Sequence, residues 1–292
     1  MLTDSHQHSN LSVDGKSGPA EMFSRAVAEG LGAVCLTEHV DFDPGNPHFG
    51  YYDHAAVQKS LDSARPAFKG RLEIRTGVEL DLQPEYLDAA REFLRGKRLD
   101  LALGSFHFVN QEFVGTAAYF RTFAPRNKDA DPGRLPYSGN YREVVEGIDP
   151  ALVEEGIRVY FNRLADIART AEFDVLAHFD LIKWQGAATW ADDRLARCAE
   201  AANGILKLLV SRGKGLEVNT KGLRLTCNET FPSLALLRAY RQAGGEIVTV
   251  GSDAHRAEET GSGIATAYGL LREAGFKFVS FFRERRPHMI PL

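Results

Sequence analysis

The chain has 292 residues, of which 44% are hydrophobic, and its formal net charge is −4. A chain of this length and composition can bury a full hydrophobic core, either in one α/β barrel or in two small domains. The acidic balance argues against a broad electrostatic surface for nucleic acid, although it allows a local basic pocket. We therefore expect a globular protein that does not bind long polyanions.

The cysteines and the apolar segments narrow the class further. The three cysteines lie far apart in the sequence, without the paired spacing of a zinc knuckle or a redox motif. No apolar run reaches membrane-spanning length, and the N-terminus is typical of a strand with polar groups rather than of a signal peptide. We expect a cytoplasmic protein that is not inserted in a membrane.

Strand and helix patterns alternate along the chain. The first strand, "MLTDSH", precedes a helix over "GPAEMFSRAVAEG", which has Pro19 in its first turn and stops at Gly30. The later strands that we predict are "LGAVCLTEH", "LEIRTGVELD", "LDLALGSFHF", "FDVLAHFD", "GLEVN" and "EIVTVGSDAH". Helical patterns separate most of them, among them "PALVEEGIRVYFNRLADIART" and a stretch from about 191 to 212. Seven apolar strands in βα units predict a parallel sheet that closes into a barrel, with a doubly wound open sheet as the competing architecture.

Two segments stand outside this repeat. Residues 110–149 mix proline and glycine with aromatic residues and are too irregular for a βα unit, so we predict an insertion or lid-like loop there. The C-terminal "FKFVSFFRERRPHMIPL" alternates as a strand does, which favours an eighth strand packed on the barrel over a partner surface. No shift in composition marks a second domain, and we expect one domain over residues 1–292.

Every predicted strand ends in side chains that can bind a metal or form hydrogen bonds. In chain order these are His6 and His8, His39, Glu79, His107, His178, Glu217 and Asn219, and Asp253 and His255. In α/β barrels the C-terminal ends of the strands form the mouth in which active sites are built, so these side chains should converge. Because residues i and i+2 of a strand face the same side, His6 and His8 can reach one centre.

Imidazole and carboxylate together suit zinc, iron or manganese. A single histidine at a strand end is more often an ordinary hydrogen-bonded residue, but six of the nine histidines share this pattern, which favours a multinuclear metal site. We place His48, His54 and His288, in loop-like or terminal sequence, outside it. Asp4 alternates with His6 and is either a surface acid or an acceptor that orients an imidazole.

The motifs resemble those of the PHP (polymerase and histidinol phosphatase) superfamily. "DSHQHSNLSVDG" resembles the first family motif, "TEH" at 37–39 the second, "GVELD" at 77–81 and "GSFHF" at 104–108 the third, and "GSDAH" at 251–255 the last. A narrower resemblance, to the monofunctional histidinol-phosphate phosphatases, rests on "AHFDLIK" at 177–183 and "LEVNTKGLR" at 216–224. The resemblance implies a distorted seven-stranded β/α barrel, of TIM-like PHP type, with three divalent metal ions.

The resemblance also implies a set of ligands, which we expect to hold zinc, iron or manganese. His6, His8, Glu79 and Asp253 would bind one ion, Glu79 would bridge to a second held by His107 and His178, and Asp14, His39 and His255 would hold a third.

Phosphomonoester hydrolysis follows from such a centre. Two ions bridged by Glu79 would lower the pKa of a shared water toward neutrality, which gives a hydroxide placed for in-line attack on phosphorus. Asp253 or His255 could deliver a proton to the leaving alkoxide. Arg224 and Lys183 are candidates to bind the remaining phosphate charge.

The family resemblance implies a small-molecule substrate, L-histidinol phosphate, which would be cleaved to L-histidinol and phosphate in histidine biosynthesis. The alternatives are a PHP-type phosphoesterase that acts on another small phosphate ester or on nucleic acid, and a metal-binding protein without catalysis. The acidic balance counts against nucleic acid. The substrate amine would need an acidic or polar partner, and the sequence does not choose among Asp41, Asp43 and Glu112.

Overall fold

The structure is a computed structural model that describes residues 1–109, 111–124, 147–185 and 193–292. Of the predicted insertion at 110–149, residues 111–124 and 147–149 are described, whereas 110 and 125–146 lie outside the described residues. The single domain with a lid-like insertion therefore stays a prediction. Within the described residues no helix is both long enough and apolar enough to cross a membrane.

Parallel strands form the centre of the fold, and helices connect them. The strands are β1 (Leu2–Asp4), β2 (Leu31–Asp41), β3 (Glu73–Asp81), β4 (Leu101–Ser105), β5 (Phe108–Val109), β6 (Glu112–Phe113), β7 (Val175–Leu176), β8 (Gly215–Asn219), β9 (Val248–Gly251), β10 (Phe278–Arg283) and β11 (Arg286–Pro291). The helices are α1 (Pro19–Ala28), α2 (His54–Phe68), α3 (Leu87–Leu94), α4 (Ala117–Arg121), α5 (Pro150–Thr170), α6 (Asp193–Ala196), α7 (Ala199–Ser211), α8 (Leu234–Gln242) and α9 (Ile264–Glu273).

The central sheet has the strand order β1-β2-β3-β4-β7-β8-β9, and every pairing in it is parallel. Its two outer strands meet where the chain continues beyond β1 and β9. Backbone hydrogen bonds of 2.8 Å join Ser5 to Val250, Asp253 to His6, and His8 to Ala254. The seven strands therefore form a nearly closed barrel, as predicted, and not a doubly wound open sheet.

The long helix α5 shows how local sequence sets an element. Pro150 occupies its first turn, where a missing N–H costs nothing, and the Asp149 carboxylate caps it by accepting from the Ala151 N–H at 2.9 Å. Apolar residues recur every three or four positions, and side chains such as Ile157 and Phe161 are fully buried. Burial of each such side chain contributes about 1.5–3 kcal/mol, so the helix is fixed to the barrel by one face. The helix predicted over about 191–212 is instead two helices, α6 and α7.

The C-terminal segment packs on the barrel but is not its eighth strand. β10 pairs in antiparallel fashion with β11, and the two form a separate two-stranded sheet. Phe281 and Phe282 of this hairpin bury themselves against the interior residues Cys35, Leu103 and Val175 of the barrel. Strand-like alternation is common to both arrangements and could not distinguish a hairpin from a barrel strand.

Candidate metal centre

A cavity of about 350 Å³ opens at the C-terminal ends of the barrel strands. The predicted site residues that line it are Asp14, His39, Glu79, His107, His178, Asp253 and His255. His6 and His8 lie fully buried beneath them. The strand ends thus converge as the barrel topology requires.

Glu79, near the end of β3, is the carboxylate around which the imidazoles gather. Its side chain is only 1% exposed, and its Oε2 atom faces three imidazoles. The distances from Oε2 are 3.2 Å to His6 Nε2, 3.3 Å to His8 Nε2 and 3.0 Å to His39 Nδ1. Burial raises the pKa of this carboxyl, but the positive charge of the imidazoles, His6 foremost, outweighs it and holds the pKa well below its ordinary value.

The other oxygen of Glu79 faces a second group of imidazoles. Oε1 lies 2.6 Å from His178 Nε2 and 3.3 Å from His107 Nε2, and those two nitrogens are 3.2 Å apart. The carboxylate therefore stands between two groups of nitrogen ligands, with one oxygen directed at each. If each group of nitrogens held an ion, one oxygen of this carboxylate would lie beside each ion.

The donor atoms and their spacing fit divalent ions. Imidazole nitrogen and carboxylate oxygen are ligands that zinc accepts, at bonds of about 2.0–2.1 Å that place neighbouring ligand atoms of a tetrahedron about 3.3 Å apart. The Nε2 atoms of His6 and His8 are 3.0 Å apart, close to that spacing. Burial, together with the positive charge of His39 and His255, holds the pKa of His8 well below its ordinary value, so His8 is in the neutral form that binds metals.

A third cluster lies on the outer side of the same centre. The Oδ2 atom of Asp14 is 3.0 Å from His255 Nε2 and 3.7 Å from His39 Nε2. His39 therefore faces Glu79 with one ring nitrogen and Asp14 with the other. Among the described residues, three groups have ligand atoms within 4.8 Å of one another and could each hold an ion: His6–His8–Asp253, His39–Glu79–His107 and His8–His39–His255.

Two of the predicted metal ligands, His178 and Asp253, have unusual backbone conformations. His178 has φ 25° and Asp253 has φ 52°, both in the left-handed region that side chains other than glycine rarely adopt. Each is held by hydrogen bonds: the His178 N–H donates to Glu217 Oε2 at 3.0 Å, and the Asp253 N–H donates to the His6 carbonyl at 2.8 Å. Strain of about 1–3 kcal/mol per residue persists only where surrounding contacts impose it, commonly at functional sites.

Glu217 lies at a predicted strand end but was absent from the predicted ligand set, and the structure gives it a clear contact. Its Oε1 atom lies 2.7 Å from His6 Nδ1, while Oε2 receives the His178 N–H and the Asn219 side-chain amide. The carboxylate fixes the His6 ring so that Nε2 faces Glu79. A carboxylate behind a ligating histidine is a common feature of metal sites, and the strand-end position in "GLEVN" was the signal for it.

The two cations predicted to bind phosphate do not line the cavity. Lys183 is completely buried, and its ammonium lies 2.9 Å from Asp180 Oδ2 and 2.8 Å from Glu229 Oε2. Arg224 donates to the Ser252 carbonyl at 2.8 Å, which is next to the site but outside its lining. Both side chains therefore contact the protein itself, and the geometry assigns them a structural contact rather than a place in the cavity.

Lys221, which sequence reasoning passed over, is the lysine that lies beside the site carboxylates. Its Nζ is 3.1 Å from Asp253 Oδ1 and 3.2 Å from His255 Nδ1, and it stands 5.4 Å from the centre of the Trp184 ring. The motif "LEVNTKGLR" contains both Lys221 and Arg224, but β8 ends at Asn219 and a short 3₁₀ turn follows. In such a turn the spacing does not tell which side chain faces the cavity.

Asp4 and His48 also differ from expectation. Asp4 is fully buried, and in the described part of the chain its carboxylate contacts no imidazole; it accepts from the backbone N–H groups of Ser252 at 2.8 Å and Gly261 at 3.1 Å. It therefore ties β1 to the segment that carries Asp253. His48 was placed outside the constellation, yet it lines the cavity.

A sequence profile of the PHP domain matches residues 4–221, about three quarters of the chain. The chain belongs to the PHP domain family. This PHP domain protein is 25% identical over 282 residues to the histidinol-phosphatase of Lactococcus lactis, a match that covers 96% of this chain and 93% of the relative. It is 28% identical over 295 residues to a Deinococcus radiodurans protein named probable histidinol-phosphatase, which covers 96% of each chain.

Solved structures agree on the fold of the PHP domain protein. A crystal structure of histidinol phosphate phosphatase from Lactococcus lactis, complexed with Zn, L-histidinol and phosphate, superposes with a TM-score of 0.79 at 22% identity and covers 98% of both chains. Together with the strand order, this likeness confirms the distorted PHP-type barrel predicted from the sequence.

Proposed function

We propose that this protein is a metal-dependent phosphomonoesterase that hydrolyses L-histidinol phosphate to L-histidinol and phosphate. The observation that carries the proposal is the Glu79 carboxylate, which directs one oxygen at each of two imidazole groups at the base of the cavity. Relatives named histidinol-phosphatase match 96% of the chain, which supports this substrate over other phosphate esters or nucleic acid. The reaction belongs to histidine biosynthesis, and we place the protein in the cytoplasm.

We infer that the centre holds three divalent ions, of zinc, iron or manganese. The ligands that we assign are His6, His8, Glu79 and Asp253 for the first ion, Glu79, His107 and His178 for the second, and Asp14, His39 and His255 for the third. When bound, such ions supply Lewis acidity toward phosphate oxygens and lower the pKa of a water ligand toward neutrality.

The chain's own residues orient the ester and neutralise its charge. Lys221 is the cation that we assign to a phosphate oxygen, because its ammonium lies at the cavity beside Asp253 and His255. Asp253 or His255 takes up the proton that the attacking water releases and passes it to the leaving oxygen when the bond of that oxygen to phosphorus breaks. Burial of His6 and His8 beneath the cavity keeps their rings fixed while the ester is bound.

The upper cavity suits an alcohol that carries a flat ring. Phe108, Phe113 and Trp184 line one side of it, and the rings of Phe113 and Trp184 meet edge to face with centres 5.0 Å apart. Aromatic walls of this kind bind planar rings such as imidazole through their faces and edges. The wall therefore supports histidinol phosphate over a plain sugar phosphate.

The test is phosphate release by the purified protein from L-histidinol phosphate, p-nitrophenyl phosphate, nucleotides and sugar phosphates, with bound metal quantified in the same sample. We expect a kcat/KM for histidinol phosphate that exceeds the others by several orders of magnitude. Comparable slow rates on all of them would leave a general phosphoesterase. Release of nucleotides from a DNA or RNA strand at physiological salt would favour the nucleic-acid alternative instead.

A further inference from the structure

Asp41 differs from the other carboxylates that line the cavity. Asp14, Glu79 and Asp253 each lie within 4 Å of a histidine nitrogen. Asp41, at the last position of β2, also lines the cavity, but among the described residues no cation lies within ion-pair distance of it. It is the one cavity carboxylate in the described part of the chain that stands outside the imidazole cluster.

The Asp41 carboxylate is only half-satisfied by the protein. The side-chain amide of Asn46 donates to Oδ1 at 2.9 Å, and no described residue donates to Oδ2. In addition, β2 and β3 place Asp41 directly beside Asp81, so two acids occupy adjacent positions of the sheet. A buried carboxylate with a free oxygen and an acidic neighbour is stabilised by a cation that enters from the cavity.

We propose that Asp41 binds the ammonium group of the substrate, so that the enzyme selects phosphate esters of amino alcohols. The inference rests on the proposed function, since it assigns the amine of the same substrate to a residue. With phosphate at the imidazole cluster and the flat ring against Phe113 and Trp184, the ammonium is the remaining polar group of histidinol phosphate. An N–H donated from an ammonium to a carboxylate is among the stronger hydrogen bonds in proteins.

The structure separates Asp41 from the two other acids that the sequence offered. Asp43 Oδ1 already accepts from the Tyr86 hydroxyl at 3.1 Å and from the Gly45 N–H at 2.9 Å, and Asp43 does not line the cavity. Glu112 is buried in the short β5–β6 pair and is likewise absent from the lining. Asp43 is therefore a matched control: an acid two positions from Asp41 that does not reach the substrate.

The experiment compares L-histidinol phosphate with its analogue that lacks the amine, 3-(imidazol-4-yl)propyl phosphate. The measured quantity is the ratio of the two kcat/KM values, with bound metal quantified for every variant. For the unmodified protein we expect a ratio of about 10 to 100, the range for one charge-assisted hydrogen bond. Asp41→Asn should bring the ratio close to one, while Asp43→Asn should leave it unchanged.

Two outcomes overturn the inference. One is an Asp41→Asn variant that keeps the original ratio, which would place the amine elsewhere. The other is an equal loss of activity on both esters, which would show that Asp41 supports the centre or the imidazole ring instead of the amine. Failure of the proposed function looks different, because the unmodified protein would then hydrolyse neither ester at a useful rate.

Discussion

Carboxylates at the two ends of the barrel have different kinds of partner. At the N-terminal end, Glu73 meets the guanidinium of Arg283 through two hydrogen bonds of 2.7 Å, and Asp174 meets Arg285 through bonds of 2.7 and 2.9 Å. At the C-terminal end, Glu79 meets imidazole nitrogens on both of its oxygens. The carboxylates at the N-terminal end are neutralised by arginine side chains of the protein itself. The carboxylate and imidazole groups at the C-terminal end form a set of ligands that suits added metal cations.

One strand contains both arrangements. Glu73 begins β3 and Glu79 stands near its end, so the same residue type on the same strand forms a salt bridge at one end and a ligand cluster at the other. The side chain of Glu73 is 25% exposed and that of Glu79 is 1% exposed. The pair shows that residue type alone does not define the site; the neighbours supplied by the adjacent strands do.

The largest expected effect comes from replacing each of these two glutamates with glutamine and comparing the two variants. Glu79→Gln should lower kcat/KM on histidinol phosphate by at least about 10³-fold and reduce bound metal, because the bridging charge is lost. Glu73→Gln makes the same chemical change on the same strand and should keep both activity and metal content. Phosphate release and metal analysis of the two variants check this. Retained metal and activity in Glu79→Gln would break the contrast between the two ends.

Lys183 was predicted from the sequence to bind phosphate, whereas the structure places Lys221 at the site. Replacing each of them should distinguish an effect on catalysis from an effect on folding. Lys221→Met should lower kcat/KM by about 10²-fold while the fold and the bound metal are kept, since the positive charge that we assign to a phosphate oxygen is removed. Lys183→Met should instead destabilise the protein by about 3–5 kcal/mol, because it removes the ammonium that lies 2.9 Å from the buried Asp180 carboxylate. Steady-state kinetics and chemical denaturation distinguish the two. A Lys183→Met variant that is stable but inactive would restore the original assignment of Lys183 to the phosphate.

A smaller effect is expected at Glu217, which contacts His6 from behind. Glu217→Gln keeps the shape of the side chain but weakens the hydrogen bond that orients the ring, so metal affinity should fall about 10- to 100-fold. Competition with a chelator of known affinity measures this change. Activity should return at higher metal concentration, and a variant that excess metal does not rescue would mean that Glu217 acts on the substrate.

The smallest expected effect is on stability at the opposite end of the barrel. The guanidinium groups of Arg283 and Arg75 hold the pKa of Glu73 at about 2, below its ordinary value of 4.5. Because the folded pKa is depressed, the stabilisation is complete above pH 4.5 and is lost as the pH falls toward 2. Solvent screening of this half-buried group limits the effect of Glu73→Gln to about 1 kcal/mol at neutral pH. Equal destabilisation of this variant at pH 7 and pH 3 would contradict this account.

The sequence predicted best what depends on strand periodicity. Because side chains alternate along a strand and parallel strands end at one edge, placing His39, Glu79 and His107 at strand ends was enough to bring them together. Positions in turns were beyond this reasoning: Lys221 lies in a 3₁₀ turn after β8, where no fixed period selects the inward side chain. His48 lines the cavity from the turn region between β2 and α2, and its position was not predicted for the same reason.

Side chains that form ion pairs with distant residues of the protein were also beyond prediction from the sequence. Lys183 was a candidate for the phosphate from its place in "AHFDLIK", but its partners Asp180 and Glu229 lie 3 and 46 positions away. The distant partner could be recognised only from the folded chain. The same holds for Glu73 and Arg283, which are 210 positions apart.

Crystals grown with added zinc, iron or manganese, with data collected above and below the absorption edge of the metal, test the central claim most directly. We predict two ions on opposite sides of Glu79, one within about 2.0–2.2 Å of each oxygen of the carboxylate. His6 and His8 should ligate the ion at Oε2, and His107 and His178 the ion at Oε1. A single ion bound through one oxygen, or ions that avoid Glu79 altogether, would contradict the bridging role on which the proposed reaction depends.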